Sequence, residues 1–453
     1  MPVKIDSGDT AWLLASSALV LLMTPGLAFF YGGMVRVKSV LNMLMMSFAT
    51  IGLVSILWVL YGFSLSFGPD AFGGLIGNLK YVGLAGGALD GTSGTLPTLV
   101  FSAFQLMFAI ITPALISGAI ADRAKFGGWM LFVGLWVTIV YFPVAHWVFM
   151  FDGGKGGLLG DRLGVLDFAG GTAVHINAGA AGLALALVLG KRLGWPKEKF
   201  KPHNLPLVLL GAGLLWFGWF GFNAGSAVAA NFQAGVAFIN TQVATGAALL
   251  AWILVEKLRD GKSTTLGAAS GAVAGLVAIT PACASVSPMG AIVVGLVAGA
   301  LCAVAVGLKY KLGFDDSLDV VGVHLVGGIA GSLIIGFLAD GWVTGILHPG
   351  TPGAAGLFYG GGLAQLGKQT IGVVLVAVYS FVLSWILGKI VDKTIGFRIT
   401  EEDEATGVDT TSHAESAYEF FVTGGGLAGR INSAPVPVAP PKAEPVKAGK
   451  EES

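Results

Sequence analysis

The chain has 453 residues, of which 55% are hydrophobic and 11% are charged, and its net charge is zero. An ordinary soluble protein carries about 25% charged residues, so the composition excludes that class. Zero net charge provides no bulk electrostatic attraction to nucleic acid. The two cysteines, Cys283 and Cys302, lie inside apolar runs and indicate no disulfide framework.

Long apolar runs recur along most of the chain, and each can cross a hydrocarbon core about 30 Å thick as a helix. They are too long for the alternating strands of a membrane β-barrel. The predicted spans, in chain order, are 10–33, 41–67, 97–120, 127–150, 169–190, 207–231, 237–257, 266–284, 289–311, 319–341 and 366–392. Asp6 and Asp9 replace the basic start of a cleavable signal peptide, so we expect the first span to be retained. The predicted fold class is an all-α integral membrane protein with eleven transmembrane helices.

The loops that follow the odd-numbered spans carry most of the basic residues, among them Arg36, Arg123, Lys191, Lys257 and Lys309. Short loops rich in Lys and Arg stay on the cytoplasmic side of a membrane. Because the number of spans is odd, we expect the N-terminus outside and the C-terminus in the cytoplasm.

The chain divides into three predicted regions. Residues 1–395 form the transmembrane domain, in which two repeat halves cover about 10–190 and 207–341 and the last helix covers about 366–392. Residues 396–432 are mixed polar and aromatic, and we expect a cytoplasmic tail there. Residues 433–453 are rich in Pro, Lys and Glu, a composition typical of disorder.

The fifth and tenth spans each contain one histidine in similar surroundings. Asp167 precedes His175 by eight positions, and Asp316 precedes His324 by the same distance. The two copies are five spans apart, so the second crosses the membrane in the opposite direction, as in transporters built from inverted repeats. We therefore expect the two histidines to meet at mid-depth between two five-helix halves, with Asp167 nearer the outer face and Asp316 nearer the inner face.

Histidines within a membrane span have two other common roles, in helix packing and in metal binding. A lone intramembrane histidine often serves only to hydrogen-bond neighbouring helices, but two at matching repeat positions favour a functional pair. A metal site would need more ligands than two histidines, and no Cys, Glu or third His accompanies the pair in these spans. We expect no metal and no cofactor.

Aromatic residues accompany the histidines in neighbouring spans. The sixth span contains Trp216-Phe-Gly-Trp-Phe-Gly-Phe-Asn-Ala-Gly-Ser226, and the third places Phe104 and Phe108 on one helix face. Aromatic rings attract a cation that has lost its water, and a hydroxyl accepts one hydrogen bond from it. Too few oxygens are present to replace the hydration shell of Na⁺ or K⁺. An aromatic stripe alone is usually packing, but together with paired neutral imidazoles it indicates a pathway for ammonium or ammonia.

Several of these motifs are similar to those of ammonium transporters of the Amt/Mep/Rh family. They are Phe104-Gln105…Phe108-Ala-Ile-Ile-Thr-Pro-Ala-Leu-Ile, Leu166-Asp-Phe-Ala-Gly-Gly-Thr-Ala-Val-His175-Ile-Asn, Lys201-Pro-His-Asn-Leu-Pro206, Gly218-Trp-Phe-Gly-Phe-Asn-Ala-Gly-Ser226, Thr280-Pro-Ala-Cys283 and Asp319-Val-Val-Gly-Val-His324. The resemblance runs from about residue 10 to residue 420. The Ser226 motif is closer to the Amt branch than to the Rhesus branch.

The resemblance implies a homotrimer with one pore per subunit and a role for each matching residue. Ser226, Phe104 and Phe149 would recruit ammonium outside, and Phe108 with Phe222 would form a stacked gate. His175 and His324 would line the pore. Asp167 would serve in deprotonation or in structure, with Asp316 as its repeat counterpart. Phe149 departs from the family, in which a Trp is expected at this position.

The resemblance also implies that the tail couples the subunits and meets PII-type signalling proteins. The expected function is an ammonium transporter of the cell membrane that conducts NH3, with or without the proton, and is not an enzyme. Two alternatives are an ammonium sensor with a vestigial pore and a channel for another small neutral gas.

Overall fold

The computed structural model describes residues 4–198, 200–347 and 353–418. Within them, eleven apolar helices follow one another at the predicted positions, which confirms the all-helical membrane fold. In chain order they are α1 (Ser7–Met34), α2 (Val37–Phe67), α3 (Thr98–Ile120), α4 (Phe126–Phe149), α5 (Gly171–Leu189), α6 (Leu205–Gly225), α7 (Phe232–Asp260), α8 (Thr265–Ile279), α9 (Pro288–Leu312), α10 (Val321–Leu338) and α11 (Ala364–Thr394). Which side of the membrane each terminus occupies stays a prediction.

Short elements lie between and after these helices. Strands β1 (Thr92–Ser93) and β2 (Leu96–Pro97) form an antiparallel hairpin in the loop before α3. A π-helical turn (Leu158–Leu163) precedes α5, and α12 (Glu401–Thr406) follows α11.

Helix α8 is shorter than the span predicted for it. The apolar run reaches residue 284, but the helix ends at Ile279 and the chain continues in buried turns. Pro281 lacks a backbone N–H and its ring crowds the preceding turn, which favours an end of the helix here. Its ring packs against Gly171, where a Cβ atom would lie 2.5 Å away. The early end of α8 thus makes room for the start of α5.

Helices α1 and α6 make the most extensive helix pair in the molecule. A Cβ atom at Gly211 on α6 would lie 2.2 Å from the backbone N of Phe30, so the two helices approach through a glycine. Close backbone contact through small residues is how membrane helices gain packing energy without a hydrophobic driving force. Because α1 and α6 each begin one predicted half, this pair joins the two halves.

Helices α5 and α10 make reciprocal contacts. Both start with a π-helical turn, and the turns span Gly171–Ile176 and Val321–Leu325. Gly179, four residues after His175, approaches the backbone of Leu325; Gly328, four residues after His324, approaches Ile176. A two-fold relation between the halves requires such exchanged contacts, which supports the predicted inverted repeat.

The start of the predicted tail packs against the same face as the loops rich in Lys and Arg. Residues up to Ala417 belong to one compact unit with the helices. Asp409 accepts hydrogen bonds from the backbone N–H groups of Leu41 and Asn42 at the start of α2, and buried Glu404 accepts one from Leu193. The predicted disordered end, 433–453, lies outside the described residues.

Candidate functional site

A cavity of about 670 Å³ opens on the face that carries the β1–β2 hairpin, and we call it the vestibule. The ends of α2 and α4, the first part of α3, the residues that follow α6 and the segment before α5 form its walls. Aromatic and polar side chains line it together, and they include Phe67, Phe101, Phe108, Phe149, Phe168, Gln105, Asp167 and Ser226. A space lined by aromatic rings and polar groups is suited to a small cation.

Two phenylalanines from different helices close the bottom of the vestibule. The rings of Phe108 on α3 and Phe222 on α6 are stacked, with centroids 4.2 Å apart and planes 29° apart. Both side chains are buried. The structure thus brings together the two residues of the predicted gate.

Phe104 lies one helical turn from Phe108 and is fully buried. Its ring meets that of Phe108 edge to face, with centroids 4.9 Å apart. It also packs on Gly225, where a Cβ atom would lie 2.9 Å from the ring. Phe104 therefore stands behind the vestibule wall, and Phe101 on the same helix lines the cavity. Sequence reasoning missed Phe101, although Phe101, Gln105 and Phe108 share one helix face by spacing.

Ser226 and Phe149 lie at the ends of α6 and α4, where both line the vestibule and are partly exposed. The hydroxyl of Ser226 donates to the carbonyl of Phe222 at 2.8 Å. Since its hydrogen is used in this bond, the oxygen presents acceptor lone pairs to any other partner.

The predicted histidine pair lies beneath the stacked phenylalanines. Nδ1 of His175 and Nδ1 of His324 are 3.3 Å apart, and the rings are stacked at 5.4 Å between centroids. A hydrogen bond between these atoms requires one ring to be the donor, so the two rings carry different tautomers when both are neutral. One Nε2 is then an acceptor and the other a donor. Among the described residues, Nε2 of His175 has no hydrogen-bond partner.

Trp219 holds one of these rings in place. Its indole stacks on His175 with centroids 5.4 Å apart, and its Nε1 donates to the hydroxyl of Thr280 at 2.8 Å. Thr280 follows directly after the short helix α8. Trp219 was not among the predicted site residues, because only this tertiary contact places it beside the histidine pair.

Small cavities continue the route on either side of His324. One, of about 10 Å³, is lined by both histidines, Phe222 and Trp219. Another of about 10 Å³ is lined by His324, Tyr31, Ser270 and Asp319 and leads toward the face of the tail. Such a space holds about one water-sized molecule. The described residues therefore line a narrow route with the vestibule at one end and Asp319 near the other.

Asp167 is the N-terminal cap of the segment that carries His175. Its carboxylate accepts from the backbone N–H groups of Gly170, Gly171 and Thr172 at 2.8, 2.6 and 2.7 Å. It also accepts from the hydroxyl of Thr172. Gly170 adopts a φ of +112°, a value that favours glycine and lets the N–H groups converge on the carboxylate.

Asp316 caps the second histidine segment in the same way. It accepts from the backbone N–H groups of Val320 and Val321 at 3.1 and 2.8 Å. Burial disfavours its charged form and raises the pKa of Asp316 to about 6. The equal spacing found in the sequence therefore reflects a shared structural role. Among the described residues, no group of three or more His, Cys, Asp or Glu side chains is arranged to hold a metal ion.

A narrow, largely apolar route between two inverted halves defines the class of this molecule as a membrane transport protein rather than an enzyme. The profile of the Ammonium Transporter Family matches residues 11–418. The chain belongs to this family.

Individual relatives and solved structures agree with this assignment. The chain is 61% identical over 443 residues to an ammonium transporter of Mycobacterium tuberculosis (strain ATCC 25618 / H37Rv), which covers 93% of this chain and 92% of the relative. It is 47% identical to an ammonium transporter of Bacillus subtilis (strain 168), over 92% of this chain and 99% of the relative. The crystal structure of Candida albicans Mep2 is similar with a TM-score of 0.82 and 36% identity, over 88% of each chain.

Proposed function

We propose that the protein transports ammonium by binding NH4⁺ in the vestibule and conducting NH3 past the histidine pair. The observation that carries the proposal is the order of the groups along one route. An aromatic vestibule is followed by the stacked rings of Phe108 and Phe222, and then by the stacked rings of His175 and His324.

Ammonium is captured by a ring and a hydroxyl. The face of Phe149 attracts the cation through its quadrupole, at a strength of about 0.5–1 kcal/mol for an exposed site. The Ser226 oxygen accepts a hydrogen bond from NH4⁺ because its own hydrogen is donated to the Phe222 carbonyl. An ion without N–H groups gains nothing from such an acceptor beyond a single coordinating oxygen. Phe104 contributes by supporting Phe108 from behind.

The route beneath the gate admits a neutral molecule. The cavity at the histidines holds about one water-sized molecule and is otherwise lined by apolar and aromatic side chains. An ion there would lose its water without gaining comparable partners, at a cost of many kcal/mol. Ammonia is neutral and of suitable size, so NH4⁺ loses its proton before or during passage. Na⁺ and K⁺ cannot take this course.

The histidine pair provides hydrogen bonds for ammonia in the dry segment. One Nε2 accepts from NH3 and the other donates to its lone pair, as the shared Nδ1 hydrogen requires. A conducted ammonia molecule therefore exchanges water for imidazole partners. Whether the proton follows through the same pair distinguishes a charged from a neutral transport cycle.

The surroundings of Asp167 favour a structural role over proton acceptance. Its oxygens are engaged by backbone N–H groups and a hydroxyl, which stabilise the carboxylate and hold the start of α5. A base would need an oxygen free to approach ammonium. We propose that Asp167 supports the vestibule and that water accepts the proton.

The test is electrical. Purified protein is reconstituted in liposomes, and current and internal pH are recorded under an ammonium gradient, with a neutral gas gradient as the control. A His175→Leu/His324→Leu variant should lose transport or its exclusion of K⁺. Ammonium transport and K⁺ exclusion equal to those of the wild type would disprove the histidine assignment.

We also propose a homotrimer whose tail meets a PII-type protein on the cytoplasmic face. The docked tail segment supports this proposal, since Asp409 and Glu404 connect it to α2 and to the loop after α5. A purified particle of three chain masses that binds a PII protein through residues 396–418 would support both parts. A particle of one chain mass would contradict the first.

A sensor is the second candidate. The chain is similar to a solved structure named Sensor Amt Protein, with a TM-score of 0.81 and 29% identity over 90% of this chain. A sensor with a vestigial pore would not support growth of a strain that lacks ammonium transport on limiting ammonium. Growth restored by this chain, and lost in the double histidine variant, would exclude it.

A further inference from the structure

The segment 164–168 lies between the π-helical turn Leu158–Leu163 and α5. It has no regular secondary structure, lines the vestibule and carries Asp167. No β-strand lies beside it among the described residues. Its backbone N–H and C=O groups still need partners, because an unpaired buried polar group costs about as much as a lost hydrogen bond.

The backbone N–H groups of Val165 and Phe168 donate to the carbonyls of Leu159 and Pro281 at 2.9 and 3.2 Å. Side chains of α11 provide the partners for Gly164 and Leu166. The amide of Gln369 accepts from the backbone N–H of Leu166 at 2.8 Å and donates to the carbonyl of the same residue at 2.8 Å. Gln365, one turn earlier, donates to the carbonyl of Gly164 at 3.3 Å and to the amide oxygen of Gln369 at 2.9 Å. The two glutamines thus replace a neighbouring strand, and Gln369 pairs both backbone groups of the residue that precedes Asp167.

The same amide reaches the second half of the molecule. Nε2 of Gln369 also donates to the carbonyl of Ser332 on α10 at 3.1 Å. Ser332 follows His324 by eight residues, so Gln369 bonds both to the segment that leads to His175 and to the helix that carries His324. Further along α11, the hydroxyl of Ser380 donates to the carbonyl of Asn177, two residues after His175. Helix α11 belongs to neither repeat and contacts the histidine helix of each.

We infer that Gln369 is a positioning residue for transport. It sets the place of Asp167 and of the start of α5 relative to α10, and thereby the geometry of the vestibule floor and of the histidine pair. The inference depends on the proposed route through these residues. Every polar atom of the amide is used: Oε1 accepts from Leu166 and Gln365, and Nε2 donates to Leu166 and Ser332. The side chain is 1% exposed, so water cannot replace a lost bond without entering the wall.

The test compares Gln369→Leu with Ser384→Ala. The control lies on the same helix, is buried, and loses one hydrogen bond from Trp136 without touching segment 164–168. Methylammonium uptake is measured in proteoliposomes and expressed per folded molecule, together with K⁺ leak. Displacement of binding groups by about 1 Å costs roughly 100-fold in enzymes, so we expect Gln369→Leu to lose at least about tenfold in Vmax/KM. The control should stay within about twofold.

Gln369→Glu provides a second readout if Gln369→Leu does not fold. A protonated carboxyl keeps one acceptor and one donor for Leu166, whereas the ionised form has no donor and faces two carbonyl oxygens. Burial can raise a glutamate pKa to about 8 or 9. Uptake by Gln369→Glu, relative to the wild type at the same pH, should therefore fall as pH rises. A purely structural role would lower the yield of folded protein and leave this ratio constant.

Two results overturn the inference: wild-type KM, Vmax and K⁺ exclusion per folded Gln369→Leu molecule, or a pH-independent ratio for Gln369→Glu. The double histidine variant is measured alongside. If that variant transports as the wild type does, the proposed route is wrong. If it fails while both Gln369 variants behave as the wild type, the route stands and the positioning role is wrong.

Discussion

The residue types at the vestibule could be predicted from the sequence, but the surroundings of each side chain could not. Phe149 and Ser226 were predicted at the recruitment site and both line the vestibule, whereas Phe104 was predicted there and is buried behind Phe108. Residue type shows that a ring is present. Its rotation about the helix axis decides whether the ring faces the cavity, and Phe104 itself lies off the face that Phe101, Gln105 and Phe108 share.

Replacing Phe149 with Trp should strengthen ammonium capture. Trp has the strongest ring quadrupole of the aromatic residues and adds an N–H group, and a gain of about 0.5–1 kcal/mol corresponds to a KM about two to five times lower. Methylammonium uptake at low concentration measures the change. Phe72→Trp is the matched control, because Phe72 is 72% exposed and is not part of the vestibule wall. An unchanged or higher KM for Phe149→Trp would contradict the capture role.

Asp167→Asn tests whether Asp167 is structural. An amide has one acceptor oxygen, so it cannot serve the N–H groups of Gly170, Gly171 and Thr172 as the carboxylate does. Leaving a buried donor unpaired costs about 1–3 kcal/mol, and we expect lower thermal stability in detergent together with lower transport. Thr172→Val, which removes only the hydroxyl bond, should have the smaller effect. Wild-type stability combined with lost transport would instead indicate a proton acceptor.

At the scale of helices, local sequence patterns predict some helix ends, and packing decides others. Different features determine the start and the end of α8. At the start, the Thr264 side chain accepts a hydrogen bond from the first turn, and this capping residue can be recognised in the local sequence. Its end at Ile279 precedes Pro281, and the apolar residues that follow are buried in turns. Hydropathy measures burial and cannot separate a helix from a buried turn.

The docked part of the tail depends on a buried carboxylate. Glu404 is fully buried and accepts from the N–H of Leu193 at 2.8 Å and from Arg398 at 2.9 Å. Removing it would leave the Arg398 guanidinium without its carboxylate, which is costly in a partly buried place. We expect Glu404→Ala to release residues 396–413 and to speed trypsin cleavage at Arg398.

The control for this prediction is Glu402→Ala, two residues away on the same short helix and exposed. It should leave the cleavage rate unchanged. Equal cleavage rates in both variants and the wild type would show that Glu404 does not hold the tail.

At the scale of the molecule, two buried arginines, Arg123 and Arg192, lie on the face predicted to be cytoplasmic. Arg192 on the loop after α5 binds Asp315 at 2.9 Å, and Arg123 donates to the carbonyl of Asp315 at 2.6 Å. Burial alone would oppose ionisation of this carboxyl, but the hydrogen bonds and charge of Arg192 hold the pKa of Asp315 below its usual value. Basic residues that predict the orientation of the chain in the membrane therefore also connect loops in the fold.

Orientation can be tested with single cysteines. Asp90 lies on the vestibule face and Glu402 on the tail, and both are exposed. The natural cysteines are fully buried, so they provide a low background. A membrane-impermeant maleimide added to intact cells should label Asp90→Cys and spare Glu402→Cys, because loops rich in Lys and Arg remain inside. Labelling of Glu402→Cys alone would reverse the assignment.

The sequence by itself determined the eleven helices, the inverted relation of the halves and the pairing of His175 with His324. These follow from hydropathy and spacing, which are local or periodic properties of the chain. Only the tertiary structure decided the 3.3 Å contact between the two Nδ1 atoms, the stacking of Trp219 on His175 and the bonds of Gln369 to Leu166 and Ser332. The reason is physical: helices apolar on every side carry no signal of which face turns inward, and packing between distant segments makes that choice.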